Sequence, residues 1–194
     1  MKKFTRLLFL IFTLNGLLLS GQLHAKVNSQ VHSQEHTKAT LSENKKNLTD
    51  EENSFKTALA LINSADKMAN TQDREKMLSN ARSELTNAVS KNRSYVEAIY
   101  FRGVINLMLG NLDEGEADLL RAIEINPKTA EAHYNLACLY SVKGNMELGL
   151  MSLDNALKNG FKDINYLLQD PDLALLRSAK EFDEVLAKNK SFWF

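Results

Sequence analysis

The chain has 194 residues, 44% of them apolar, which is enough for one ordinary hydrophobic core. Its 24 basic residues balance its 24 acidic residues, so no basic excess points to nucleic acid as a partner. With a single cysteine, Cys138, no internal disulfide can form. The apolar helical run around Cys138 favours a small buried residue over a reactive thiol.

Residues 1–25 have the pattern of a secretory leader. Three positive charges stand near the start, on Lys2, Lys3 and Arg6. A mostly apolar run over 7–19 follows, and Ala25 provides a small residue for cleavage. The run is shorter than the ~20 residues of a membrane-spanning helix, and no later run comes near that length. We therefore expect a signal peptide over 1–25 and an exported protein, with the periplasm as its compartment and no membrane span once the leader is removed. There are two alternatives. The protein is secreted from the cell, or it is an assembly or secretion factor that an uncleaved leader anchors to the inner membrane.

Residues 26–48 are polar, lack aromatic side chains and show no sustained period, which predicts a disordered tether. Within them His32, Glu35 and His36 match the H-x-x-E-H pattern of one class of zinc peptidase. A zinc hydrolase also needs a third ligand and a rigid, dry pocket, which a polar tether does not supply. The sequence therefore predicts no catalytic metal and no cofactor, and metal binding through this pattern is kept as an alternative.

Two amphipathic helices are predicted next. Thr49 followed by Glu52 has the spacing of a capping box, and apolar residues then recur at helical spacing, which predicts a helix over 50–70. After a polar turn at 70–73, a second helix is predicted with one apolar face, formed by Met77, Leu78, Ala81, Leu85, Ala88 and Val89.

An internal period of 34 residues, without a gap, relates residues 96–129 to residues 130–163. The aligned pairs include Gly110 with Gly144, Gly115 with Gly149, and Ala122 with Ala156. Each unit reads as two antiparallel helices, the first of which ends at Gly110 or Gly144, where a glycine can take the left-handed conformation.

Both the period and the residue choice resemble the tetratricopeptide repeat family. The matching positions are Gly103, Gly110, Ala122 and Pro127 in the first unit, and Leu136, Ala137, Tyr140, Gly144 and Ala156 in the second. The sequence departs from the family at Gly115 and Gly149, where Ala is usual, and at Phe161, which replaces the terminal Pro. The resemblance implies an all-α solenoid of helical hairpins: clear repeats over 96–129 and 130–163, preceded by a degenerate first repeat over 49–95 that also caps the stack.

The C-terminal segment over 164–194 is predicted to close the stack, since residues 160–188 resemble the ending of many bacterial tetratricopeptide proteins. In that ending Asp170 would cap a helix that begins at Pro171. The covering apolar face would come from Leu173, Leu176, Phe182, Val185 and Leu186. The last three residues form either a docking tail or a fold-back onto the final helix: Phe192, Trp193 and Phe194.

The resemblance implies that the chain is a non-enzymatic scaffold that binds another protein, and no nucleophile elbow, phosphate loop or metal cluster is visible in the helical part. By the resemblance, the first helix of each repeat would line a groove for an extended peptide or an amphipathic helix. The predicted groove residues are Glu97, Tyr100, Phe101, Val104, Met108, Glu131, Tyr134, Asn135, Cys138 and Val142. The alternative is structural, with Phe101, Val104 and Met108 packed on the helix at 50–70. The partner and the oligomeric state cannot be read from the sequence.

Overall fold

The computed structural model describes residues 49–190, which form nine α-helices and one short 3-10 helix. In chain order the helices are α1 (Asp50–Asp66), α2 (Thr71–Lys91), α3 (Val96–Met108), α4 (Leu112–Ile125), α5 (Ala130–Lys143), α6 (Met146–Lys158), α7 (Ile164–Gln169), the 3-10 helix (Pro171–Leu173), α8 (Ala174–Arg177) and α9 (Lys180–Asn189). The predicted all-α class is confirmed. The predicted leader, the tether with His32, Glu35 and His36, and the aromatic tail Phe192, Trp193 and Phe194 lie outside the described residues.

Consecutive helices pack as hairpins, α1 with α2, α3 with α4, and α5 with α6. Neighbouring hairpins then stack through the contacts of α2 with α3 and of α4 with α5. Short turns between the members of each pair make them antiparallel. This is the adjacent-hairpin architecture that the 34-residue period predicts.

The turns follow from local sequence signals. Gly110 and Gly144 have φ angles of 84° and 81°, so both take the left-handed conformation predicted for them. In each turn the amide after the glycine donates to a carbonyl in the last turn of the helix, Asn111 to Asn106 at 2.9 Å and its counterpart one repeat later at 2.8 Å. At the first helix, the Thr49 amide donates to Glu52 Oε2 at 3.0 Å, as in a capping box.

The boundary between the first two helices differs from the prediction. Helix α1 ends at Asp66 rather than at residue 70, and α2 begins at Thr71, inside the predicted polar turn. The reason is the Asn70 side chain, which accepts from the amide of Gln72 at 2.8 Å and so starts the helix. The polar residues are thus the first turn of α2.

Two adjoining apolar cores hold the stack together. The first is shared by helices α1 to α5, and the second joins α5 and α6 to the C-terminal segment. Leu173, Leu176 and Phe182 are buried in the second core, whereas Val185 and Leu186 pack against its margin. The predicted covering role of these five residues is confirmed.

After α6, the chain forms α7, the 3-10 helix and α8 at the position where a further hairpin would have its first helix. Helix α9 then packs on α6. Asp154 of α6 connects the two, because its carboxylate accepts from the Asn189 side-chain amide at 2.7 Å and from Lys188 of α9 at 3.4 Å. None of the helices between Asp50 and Asn189 combines the length and the apolar character that crossing a membrane requires.

Candidate partner-binding surface

The inner helices α3 and α5 carry all ten residues of the predicted groove, but most of these side chains are covered by the protein itself. Six are buried: Tyr100, Phe101, Val104, Tyr134, Asn135 and Cys138. Met108, Glu131 and Val142 are partly buried, and Glu97 is exposed. A role of the ten residues in binding stays a prediction. The sequence left open whether the groove is open or filled, and the burial of six of the ten side chains favours the filled alternative.

In the first repeat, the aromatic groove residues pack against α1. The Phe101 ring lies 5.7 Å from the ring of Phe55, and 5.2 Å from that of Tyr100 in an edge-on arrangement. Val104 belongs to the same core, and Met108 packs against it. The structural alternative, packing on the first helix, therefore describes this part of the surface. The ring of Phe55 in α1 contacts the Phe101 ring, and this contact buries the aromatic side of α3.

In the second repeat, the C-terminal segment covers the inner face. The Tyr134 ring stacks on Phe161 with 4.2 Å between centroids and 2° between ring planes. Its hydroxyl donates to Asp170 Oδ2 at 2.6 Å, and the Cys138 sulfur lies 3.7 Å from the same oxygen. We call this cluster of Tyr134, Cys138, Phe161 and Asp170 the cap lock. It joins α5 to the closing segment and leaves no room for a partner at these positions.

Asp170 has two roles, of which the sequence predicted one. Its Oδ1 accepts from the amide of Asp172 at 2.9 Å, which is the predicted cap at Pro171. Its Oδ2 accepts from Tyr134, a contact 36 residues away in sequence that no local pattern reveals. Asp170 is 1% exposed, and a buried polar group costs free energy unless hydrogen bonds satisfy it, so the cap lock is a built polar contact inside the core.

The ionised forms of Cys138 and Tyr134 are disfavoured in the cap lock. Burial raises the pKa of the Cys138 thiol, and the charges of Asp170 and Asp172 add to that shift, so the reactive thiolate is disfavoured. Burial also raises the pKa of the Tyr134 hydroxyl, which keeps it a donor. Between residues 49 and 190, no group of three or more His, Cys, Asp or Glu side chains is placed to hold a metal ion.

Four glutamates near Tyr95 and Tyr100 are at least partly accessible. Glu52 and Glu97 are exposed, and Glu51 and Glu131 are half-buried. These four glutamates, which we call the acidic edge, form no ion pair with any described residue. Two tyrosines are affected by these negative charges. The pKa of Tyr95 is raised to about 12, first by burial and then by the charges of three of these glutamates. Burial and the charge of Glu131 likewise raise the pKa of the buried Tyr100.

Comparison with known proteins identifies the central helices. Two models of the tetratricopeptide repeat family match the chain, one at residues 96–129 and one at 119–151. A relative from Arabidopsis thaliana, which is named as a chloroplastic protein, is 46% identical over 55 residues, which are 28% of this chain and 16% of that protein. The shared stretch thus spans well under a fifth of the relative. The hairpins α3–α4 and α5–α6, their glycine turns and these matches agree, and residues 96–151 are tetratricopeptide repeats.

Proposed function

We propose that residues 49–190 are a non-catalytic interaction module that binds a basic segment of another protein along the acidic edge. Tetratricopeptide repeats imply protein partners, and the matches cover the two hairpins that carry Glu97 and Glu131. The carrying observation is that four glutamates line one side of the stack while no described cation pairs with them.

Physical chemistry favours a basic partner over an acidic one. Like charges facing each other across an interface cost free energy, whereas lysines or arginines of a partner would pair with these carboxylates. Met108 and Val142 are partly exposed on the same inner helices, so an amphipathic basic helix or an extended basic peptide would also find apolar contacts. The buried aromatics act indirectly in this proposal, since they hold α3 and α5 in place.

The experiment compares charge-neutral variants on the two sides of the stack. A photo-crosslinking amino acid is placed in the native host at Lys56, an exposed residue one helical turn after Glu52. The captured protein is identified with and without the double substitution Glu97→Gln, Glu131→Gln. The matched control is Glu124→Gln, Glu147→Gln, which removes one exposed carboxylate from α4 and one from α6. We expect a captured segment rich in lysine and arginine that is lost in the first variant, kept in the control and weakened by added salt. The proposal would be refuted if the same protein is captured equally well with and without the substitutions of Glu97 and Glu131.

We further propose that the module is exported, through the leader pattern at residues 1–25. The word "chloroplastic" belongs to the relative's name and is not carried over to this chain. The test is the mass of the protein's N-terminus after fractionation of the native host. A chain that begins near Lys26 in the periplasmic or secreted fraction supports export. An intact N-terminal methionine in the membrane fraction supports the anchored alternative, and an intact one in the cytoplasm contradicts both.

A further inference from the structure

A polar cleft of about 780 Å³ opens between α2, α3 and α4. Its floor includes Arg102 and Asn106 of α3, its α4 wall includes Glu114 and Asp118, and its α2 wall includes Arg82. No residue of the acidic edge lines this cleft. The volume lies within the range of ligand sites, ~300–1,000 Å³, but the lining is hydrophilic rather than apolar.

The floor of the cleft is electrically balanced. Arg102 holds Asp118 in a two-pronged pair, Nε to Oδ2 at 2.8 Å and Nη2 to Oδ1 at 2.6 Å. Both side chains are mostly buried, at 18% and 11% exposed. Asn106 adds a donor to Asp118 Oδ2 at 3.4 Å. Because each charge of the floor is matched in good geometry, the floor is a rigid support with no charge left to attract a ligand.

The α2 wall, in contrast, carries an unmatched charge. Arg82 is half-buried, and its guanidinium makes one hydrogen bond with the described residues, a long one of 3.5 Å to Asn106 Oδ1. It forms no ion pair with any of them. Ser79 and Ser83, three positions before it and one after it, are exposed and line the same wall. The wall therefore offers a planar charged donor flanked by two hydroxyl groups.

We propose that this cleft is a second binding site, which takes an acidic segment of a partner protein and places an aspartate or glutamate carboxylate on Arg82. The guanidinium fork matches a carboxylate with two parallel hydrogen bonds, and the serine hydroxyls satisfy its remaining lone pairs. Glu114 on the facing wall repels a carboxylate, so the acidic side chain lies on the α2 side of the cleft. The site does not depend on the acidic edge and recognises the opposite charge.

The test is a titration of the isotope-labelled full-length chain with an acetylated, amidated hexaglutamate peptide, followed by NMR at low salt. We expect shifts concentrated at Arg82, Ser79 and Ser83. Arg82→Gln should weaken binding about tenfold or more, while Lys128→Gln, which removes an exposed cation outside the cleft, should change it less than about twofold. Arg82→Lys should recover only part of the affinity, since an ammonium lacks the planar fork.

A second variant separates recognition from folding. Glu114→Gln removes the repelling charge from an exposed side chain, so it should tighten hexaglutamate binding, a gain that a loss of structure cannot produce. The proposal would be overturned if neither Arg82→Gln nor Glu114→Gln changes the affinity for hexaglutamate. It would also be overturned if the chemical-shift changes are spread evenly over the surface cations. Inorganic phosphate is titrated in parallel. Equal shifts with phosphate and with peptide would also overturn it, in favour of a site for small anions.

Discussion

Replacing Tyr134 with Phe tests the cap lock, because it removes one oxygen and keeps the ring that stacks on Phe161. The lost hydroxyl donates to Asp170 Oδ2 at 2.6 Å. After the change, the donors left to this buried carboxylate are the Asp172 amide at 2.9 Å on the other oxygen and the weak Cys138 thiol at 3.7 Å. Oδ2 would thus lose its one strong donor among the described residues.

The expected cost follows from that contact. A hydrogen bond to a charged group contributes ~1.5–3 kcal/mol, and a buried acceptor left unsatisfied costs a similar amount. We expect the free energy of unfolding to fall by about 2 kcal/mol. For a domain of this size that corresponds to a melting temperature lower by roughly 4–8 °C.

The assay is urea unfolding followed by helical circular dichroism, with Tyr95→Phe as the matched control. Tyr95 is also partly buried, but its hydroxyl makes no hydrogen bond with a described residue, so the control should change stability by less than about 0.5 kcal/mol. Asp170→Asn keeps a residue that can cap, and a double-mutant cycle with Tyr134→Phe should show a coupling above about 1 kcal/mol. A Tyr134→Phe variant as stable as Tyr95→Phe, or a coupling near zero, would refute the reasoning.

Three further outcomes are expected. Gly115→Ala restores the residue usual in the family, yet it should lower the free energy of unfolding in urea by about 1 kcal/mol. The new Cβ would lie 2.8 Å from Leu107 Cγ, and this overpacking outweighs the gain in helix propensity. A variant more stable than the wild type contradicts this. Stability should be fully present below pH 10 and fall from pH 10 towards 12, because folding raises the pKa of Tyr95 and of Tyr140 from 10.0 to about 12. The double variant Tyr95→Phe, Tyr140→Phe should lose less stability between about pH 10 and pH 12, and an equal loss contradicts the assignment. Cys138 should react with a thiol reagent at about pH 8 only as fast as the chain unfolds, because the thiol is buried and its pKa is raised; rapid labelling of the native protein contradicts its burial.

The hairpin fold was predictable because its signals are local. The 34-residue period, the glycines at 110 and 144, and the Asp-Pro start at 170–171 each determine the conformation of a few neighbouring residues. All three patterns have the predicted structure, with φ angles of 84° and 81° at the two glycines. The predicted end of α1 lies four residues too late, because apolar spacing continues to Ala69 although the helix ends at Asp66.

The accessible surface was not predictable in the same way. The resemblance to tetratricopeptide repeats assigns Tyr100, Phe101 and Tyr134 to one side of the inner helices, but it carries no information on what covers that side. The covering groups are Phe55 and Phe161, which lie in other elements. One signal was present: Phe161 stands where the family usually has proline, and a large aromatic residue there needs a buried partner.

The covered groove changes where recognition is expected. In an open repeat stack, exposed aromatics would supply most of the binding energy, since such side chains dominate interfaces. Here those rings are buried by the chain itself, so the two proposed binding sites consist of glutamates and of Arg82 in the cleft. Exposed charge pairs contribute little energy individually and are screened by salt, which favours fast, reversible and salt-sensitive contacts over a tight complex. Because the acidic edge is proposed to bind cations and Arg82 to bind a carboxylate, and the two sites share no residue, a single partner segment of one charge cannot satisfy both. The charge pattern therefore fits two different segments bound at once, or one partner with separate basic and acidic stretches.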